Sequence, residues 1–123
     1  MLEIKKVSDD KRGSIYSIVG DDLKQYHEIV LLFTKKGFAR GGCIHPKNDE
    51  HIVIVEGSVE YHIGNDIIPM KNGNIEVIPE NIRHYMISKT DSIVIEWGPY
   101  ADEKNIKDKK YREIVDEINS KVK

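Results

Sequence analysis

Apolar and polar positions alternate in short runs along most of this 123-residue chain, and each run ends at turn residues. The pattern predicts strands at Leu2–Val7, Ser14–Val19, Glu28–Thr34, Ile52–Val55, Val59–Ile63, Ile75–Ile78, Tyr85–Ser88 and Ser92–Trp97. The breaks between them are Gly20-Asp21-Asp22, Glu56-Gly57, Gly64-Asn65-Asp66, Asn72-Gly73 and Thr90-Asp91. Many short strands at this spacing predict an all-β sandwich or barrel, in which closure or double-sheet packing protects the edges. The last segment changes period: Tyr111, Ile114, Val115, Ile118 and Val122 recur at helical spacing. A helix over about 104–121 follows, capped from Asp108 and packed outside a barrel of about residues 1–100. The length fits one domain over 1–123.

Charge narrows the function classes. Nineteen basic and 21 acidic residues are mixed along the chain, a formal net charge of −2, with no basic stripe to follow a phosphate backbone. The locally basic run Lys104 to Lys110 reads as a solvated face. Nucleic acid is therefore not the expected partner. The longest aliphatic run, Ile29 to Phe33, is too short to cross a bilayer. Asp9, Asp10, Lys11 and Arg12 stand where a signal peptide needs an apolar core, so the expectation is a cytoplasmic protein without membrane contact. The single cysteine, Cys43, excludes an intrachain disulfide.

Two stretches concentrate the side chains capable of chemistry. In Gly41-Gly42-Cys43-Ile44-His45 an extended strand would point Cys43 and His45 to one face. Pro46 and Lys47-Asn48-Asp49 then break the chain, so Glu50 can begin a new strand facing the same pocket. In the second stretch Ile75–Ile78 reads as a strand, Pro79 to Arg83 as a turn, and His84 as the first residue of the next strand. A thiolate, two imidazoles and a carboxylate converging on one point form an ordinary ligand set for a divalent transition metal. If Cys43 is a ligand, its sulfur favours zinc over iron, manganese or nickel. The competing reading of Cys43 is a small buried hydrophobe, and of Glu50 a carboxylate bonded to a turn.

These stretches resemble the cupin superfamily. Cys43-x-His45-x4-Glu50-x6-Gly57 is similar to its first motif, with cysteine for the first histidine. Gly73-x5-Pro79-x-Asn81-x2-His84-x3-Ser88 is similar to its second, with Asn81 for glycine and Ser88 for asparagine. Asn81 tolerates the positive φ that this glycine position requires. Asp10-Lys11-Arg12-Gly13 and Arg40-Gly41-Gly42-Cys43 further resemble segments of the sugar-nucleotide isomerases and epimerases of that superfamily.

The resemblance implies a double-stranded β-helix (jelly-roll) barrel, a homodimer and no organic cofactor. It also implies a small-molecule substrate, with a nucleotide-linked keto-deoxysugar as the first expectation. Arg12 and Arg40 would grip the diphosphate; the alternative for Arg12 is a structural pair with Asp10. In those enzymes a histidine at the position of Cys43 is the base, so the expected catalytic residues here are His45, Cys43 and Glu50. Two other readings stand beside this one. One is a metal-dependent cupin of another class, a dioxygenase or a sugar or sugar-phosphate isomerase. The other is a non-catalytic binding module. His27 has no motif around it, His51 should point away from the pocket by strand alternation, and His62 with Glu60 should face solvent; Tyr61, which shares a face with core residues, Tyr85 and Trp97 are expected outside the site.

Overall fold

The computed structural model describes residues 1–26, 28–99 and 106–123. Strands β1 (Glu3–Asp10), β2 (Gly13–Val19), β3 (Glu28–Thr34), β4 (Ala39–Cys43), β5 (Glu50–Glu56), β6 (Ser58–Ile63), β7 (Asp66–Lys71), β8 (Ile75–Ile78), β9 (His84–Ser88) and β10 (Ser92–Trp97) precede one helix, α1 (Lys109–Ser120). They form two antiparallel sheets. One runs β1-β2-β3-β10-β5-β8 and the other β4-β9-β6-β7. The core between them is Leu32, Ile52, Ile54, Val59, Tyr61, Ile63, Met70, Ile78, Met86 and Val94. Each large aliphatic side chain fully buried there stabilises by about 1.5–3 kcal/mol. The all-β architecture is the expected one.

The differences from the expected strands have local causes. β7 contains Pro69 and exposed Ile67, so its apolar residues do not alternate cleanly; proline is tolerated because β7 is an edge strand. β4, with the sequence Ala-Arg-Gly-Gly-Cys, has almost no strand propensity of its own and is held by its partners. Its outer edge lies against α1 rather than another strand. The Asn119 side chain accepts from Ala39 N at 2.7 Å and donates to Ala39 O at 3.0 Å, taking the place of a neighbouring strand.

α1 packs outside the barrel as its periodicity predicts. Val115, Tyr111, Ile114 and Ile118 cover Ala39, Tyr85 and Ile87 on the back of β4 and β9. Asp108 caps it, accepting from Tyr111 N at 3.0 Å. The helix starts later than expected because residues 106–108 bond to the end of β4: Ile44 N donates to Ile106 O, and Asp108 N to Gly42 O. The expected start near residue 104, and His27, lie outside the described residues.

Candidate metal and substrate site

The expectation that Cys43 and His45 project together from one strand is corrected by the backbone. Gly41 and Gly42 both take positive φ (107° and 82°), and the pairing of β4 with β9 slips between Gly41 and Cys43. This bulge brings Cys43 opposite His84 and ends the strand there. His45 therefore sits beyond β4, where its carbonyl accepts from Asn81 N at 2.6 Å. Asn81 itself adopts φ 63°, as its place in the turn predicts.

His45, Glu50 and His84 converge. Each offers a ligand atom, and these atoms lie within 4.8 Å of one another. All three residues are buried. His45 Nε2 is 3.3 Å from Glu50 Oε2, and His84 Nε2 is 3.3 Å from Oε1. His84 Nδ1 donates to Ile82 O at 3.2 Å, which leaves Nε2 as the nitrogen that can bind a metal. Burial pushes the Glu50 carboxyl up, but hydrogen bonds from His45 and His84 outweigh it and hold the group below the usual carboxylate range. Burial lowers His84, and its bond and charge interaction with Glu50 overcome this and raise it.

The fit to a divalent cation rests on two observations. Two imidazole nitrogens and a carboxylate are a common three-residue ligand set with open positions, and their ligand atoms lie buried within 4.8 Å of one another. Cys43 is not in this set. It lines the cavity beside these residues, its Sγ 4.0 Å from Lys107 Nζ, and burial pushes its thiol up while Lys107 opposes. Without a sulfur ligand, zinc has no preference over iron, manganese or nickel at this set.

The three residues open on a cavity of about 460 Å³ that Arg12, Arg40, Cys43, Tyr61, Glu96 and Trp97 also line. Arg40 is buried; its Nε donates to Thr34 Oγ1 at 2.8 Å and Nη2 to Phe33 O at 3.3 Å, while Nη1 has no partner. Burial, and then Arg12, bring its guanidinium down to about 10. Arg12 makes the pair with Asp10 that was the alternative reading, at 2.7 Å from Nη2 to Oδ2 and 3.1 Å from Nε to Oδ1, while still lining the cavity.

Tyr61 is in the core as expected, yet its hydroxyl reaches the cavity wall and donates to Glu96 Oε2 at 3.1 Å. Trp97 also lines the cavity, contrary to expectation, and stacks on His51 at 5.2 Å. Tyr85 packs beneath α1, stacked on His62 at 4.3 Å and edge-on to Tyr111, and also borders the cavity. Glu96 carries no motif and was missed. The available signal was a lone carboxylate inside the apolar run Ser92-Ile-Val-Ile-Glu96-Trp97.

No family model matches the chain, and no curated protein matches it. Solved structures do. The capsular polysaccharide assembling protein CapF of Staphylococcus aureus superposes with a TM-score of 0.68 at 19% identity, covering 86% of this chain and 31% of that one. KdgF from Halomonas sp. gives 0.65 at 17% identity, covering 80% and 88%. An RmlC-like cupin from Shewanella frigidimarina gives 0.59 at 17% identity, covering 86% and 90%. The chain thus spans about a third of the length of the CapF chain it matches. At these identities the likeness concerns the fold. Two antiparallel sheets closed around a His-Glu-His mouth, together with these superpositions, establish that the chain has the cupin fold.

Proposed function

We propose that the chain is a divalent-metal-dependent enzyme that isomerises or epimerises a small anionic sugar derivative. The observation that carries this reading is the convergence of His45, Glu50 and His84 on a cavity that also holds the unpaired Nη1 of buried Arg40. A divalent metal held by those three residues would supply Lewis-acid polarisation of a carbonyl oxygen. Arg40 would fix a phosphate or carboxylate by charge-assisted hydrogen bonds, strengthened because its surroundings exclude water. His84 is oriented for its role by Ile82 O, and Cys43 lines the wall as a neutral thiol.

Within this reading the finer substrate is a nucleotide-linked keto-deoxysugar. Support comes from the Asp10–Gly13 and Arg40–Cys43 segments and from the fold shared with CapF. Arg12 would take part by exchanging Asp10 for the diphosphate. The reading treats residues 1–123 as one domain, working as a cytoplasmic homodimer.

The test is elemental analysis of the protein purified without added metal or nickel affinity. The expected result is close to one equivalent of a divalent transition metal, lost in His84→Ala. A protein that holds no metal and shows no melting shift with manganese, iron, cobalt, nickel or zinc would overturn the metal reading. Turnover is then sought on sugar phosphates and on dTDP- and UDP-linked keto sugars.

A further inference from the structure

The inward positions of β10 are Ser92, Val94 and Glu96. Val94 pairs with Leu32 and Ile54, which form the apolar floor, and Glu96 pairs with Val30 and Ile52, one step nearer the mouth. Glu50 lies two residues before Ile52, so Glu96 is one layer deeper than the His45–Glu50–His84 group. Across the cavity Arg40 pairs with Met86, and Met86 with Tyr61. The layer beneath the metal ligands therefore includes Glu96, Tyr61 and Arg40, and all three line the cavity.

Among the described residues Glu96 has no ion-pair partner, and its one hydrogen bond is from Tyr61 to Oε2. Burial pushes the carboxyl well above its ordinary range, and the charge of Glu50 adds to this; His84, the Tyr61 hydrogen bond and Arg40 oppose without cancelling it. Burying a carboxyl without an ion-pair partner is costly, and buried carboxyls of this kind recur at sites of proton transfer.

We propose that Glu96 is the catalytic base that carries the substrate's proton, with Tyr61 fixing Oε2 so that Oε1 faces the reacting carbon. The proposal rests on the keto-sugar reading above and deepens it. The carboxylate takes hydrogen from the carbon beside the carbonyl: the C–H bond breaks, an O–H bond forms on Glu96, and the electron pair moves onto the carbonyl oxygen. The new carboxylic acid returns the proton to the former carbonyl carbon, while the hydroxyl proton crosses between the two oxygens. The carboxylate is restored, and the substrate is isomerised with no net gain or loss of protons.

Dihydroxyacetone phosphate, the simplest anionic keto sugar, serves as the probe. The metal-loaded full chain is incubated with it in D2O, and deuterium entry at carbon is followed by proton NMR. Wild type is expected to accelerate exchange, and Glu96→Gln to lower it by at least about 100-fold with unchanged metal content. Wild-type exchange that Glu96→Gln retains to within about 3-fold, far short of the expected loss, overturns the base and leaves the metal reading standing. Exchange that survives His84→Ala but not Glu96→Gln supports the base and removes the metal from the reaction. No exchange by the wild type overturns the base and the keto-sugar reading it rests on, while metal binding is decided by the elemental analysis. Should Glu96→Gln not fold, Glu96→Asp withdraws the carboxyl by one methylene: loss of exchange with metal retained supports the proposal, and exchange at the wild-type rate overturns it.

Discussion

Replacing Asn119 by alanine probes the contact that holds β4, and with it Arg40, in place. Ala39 is fully buried, and its backbone N–H and C=O point away from β9 toward α1, where the Asn119 amide meets both. Alanine removes both partners and leaves two buried backbone groups that water cannot reach. An unsatisfied buried group costs about 1–3 kcal/mol, so the pair should cost roughly 2–6 kcal/mol. With about 2.1 cal/mol/K of unfolding entropy per residue, a chain of 123 residues loses on the order of 4 °C per kcal/mol. The melting temperature should therefore fall by about 8 °C or more. The assay is thermal unfolding followed by circular dichroism, with Ser120→Ala as the neighbouring exposed control, expected within about 0.5 kcal/mol of wild type. A fall in Asn119→Ala no larger than in that control would show that the edge of β4 does not depend on this side chain.

Two further outcomes follow from the site. Cys43→Ser should leave the metal content of the purified protein unchanged, because Cys43 stands outside the His45–Glu50–His84 set; loss of about half the metal or more would make the sulfur a ligand. For Asp10, the hydrogen bonds from the Arg12 side chain are the main cause that lowers the carboxyl to about 2. A carboxyl depressed on folding stabilises above its unfolded value, near 3.9, and loses that contribution as pH falls through the folded value. Melting curves should therefore show Asp10→Asn less stable than wild type at pH 6, with the gap closing between about pH 4 and pH 2; a gap that persists to the lowest pH would refute the pairing as its source.

Much of the cupin fold was legible along the chain because burial on one sheet face imposes a period of two. Apolar runs bounded by turn residues mark β2, β3, β8 and β10 at nearly their full lengths, although Ile75 and Val77 of β8 face solvent. The helix was legible for the same reason at a period of 3.6, down to the cap at Asp108. His45, Glu50 and His84 were legible because turn residues around them (Pro46, Gly57, Pro79, Asn81) set where each strand must restart.

What the sequence by itself determined is thus where most strands and turns fall, and that His45, Glu50 and His84 can share one pocket. What only the tertiary structure decided is where alternation is interrupted or carries no contrast. The paired positive-φ glycines at 41 and 42 shift the end of β4, so Cys43 leaves the ligand set although its spacing to His45 is that of two ligands on one strand. Glu96 sits among Ile93, Val94 and Ile95, apolar on both faces of β10, so parity could not say that its carboxyl faces the cavity. β4 exists because Asn119, some 80 residues later, satisfies its open edge. Local sequence encodes which face a residue prefers; packing between distant segments decides which residues share a cavity.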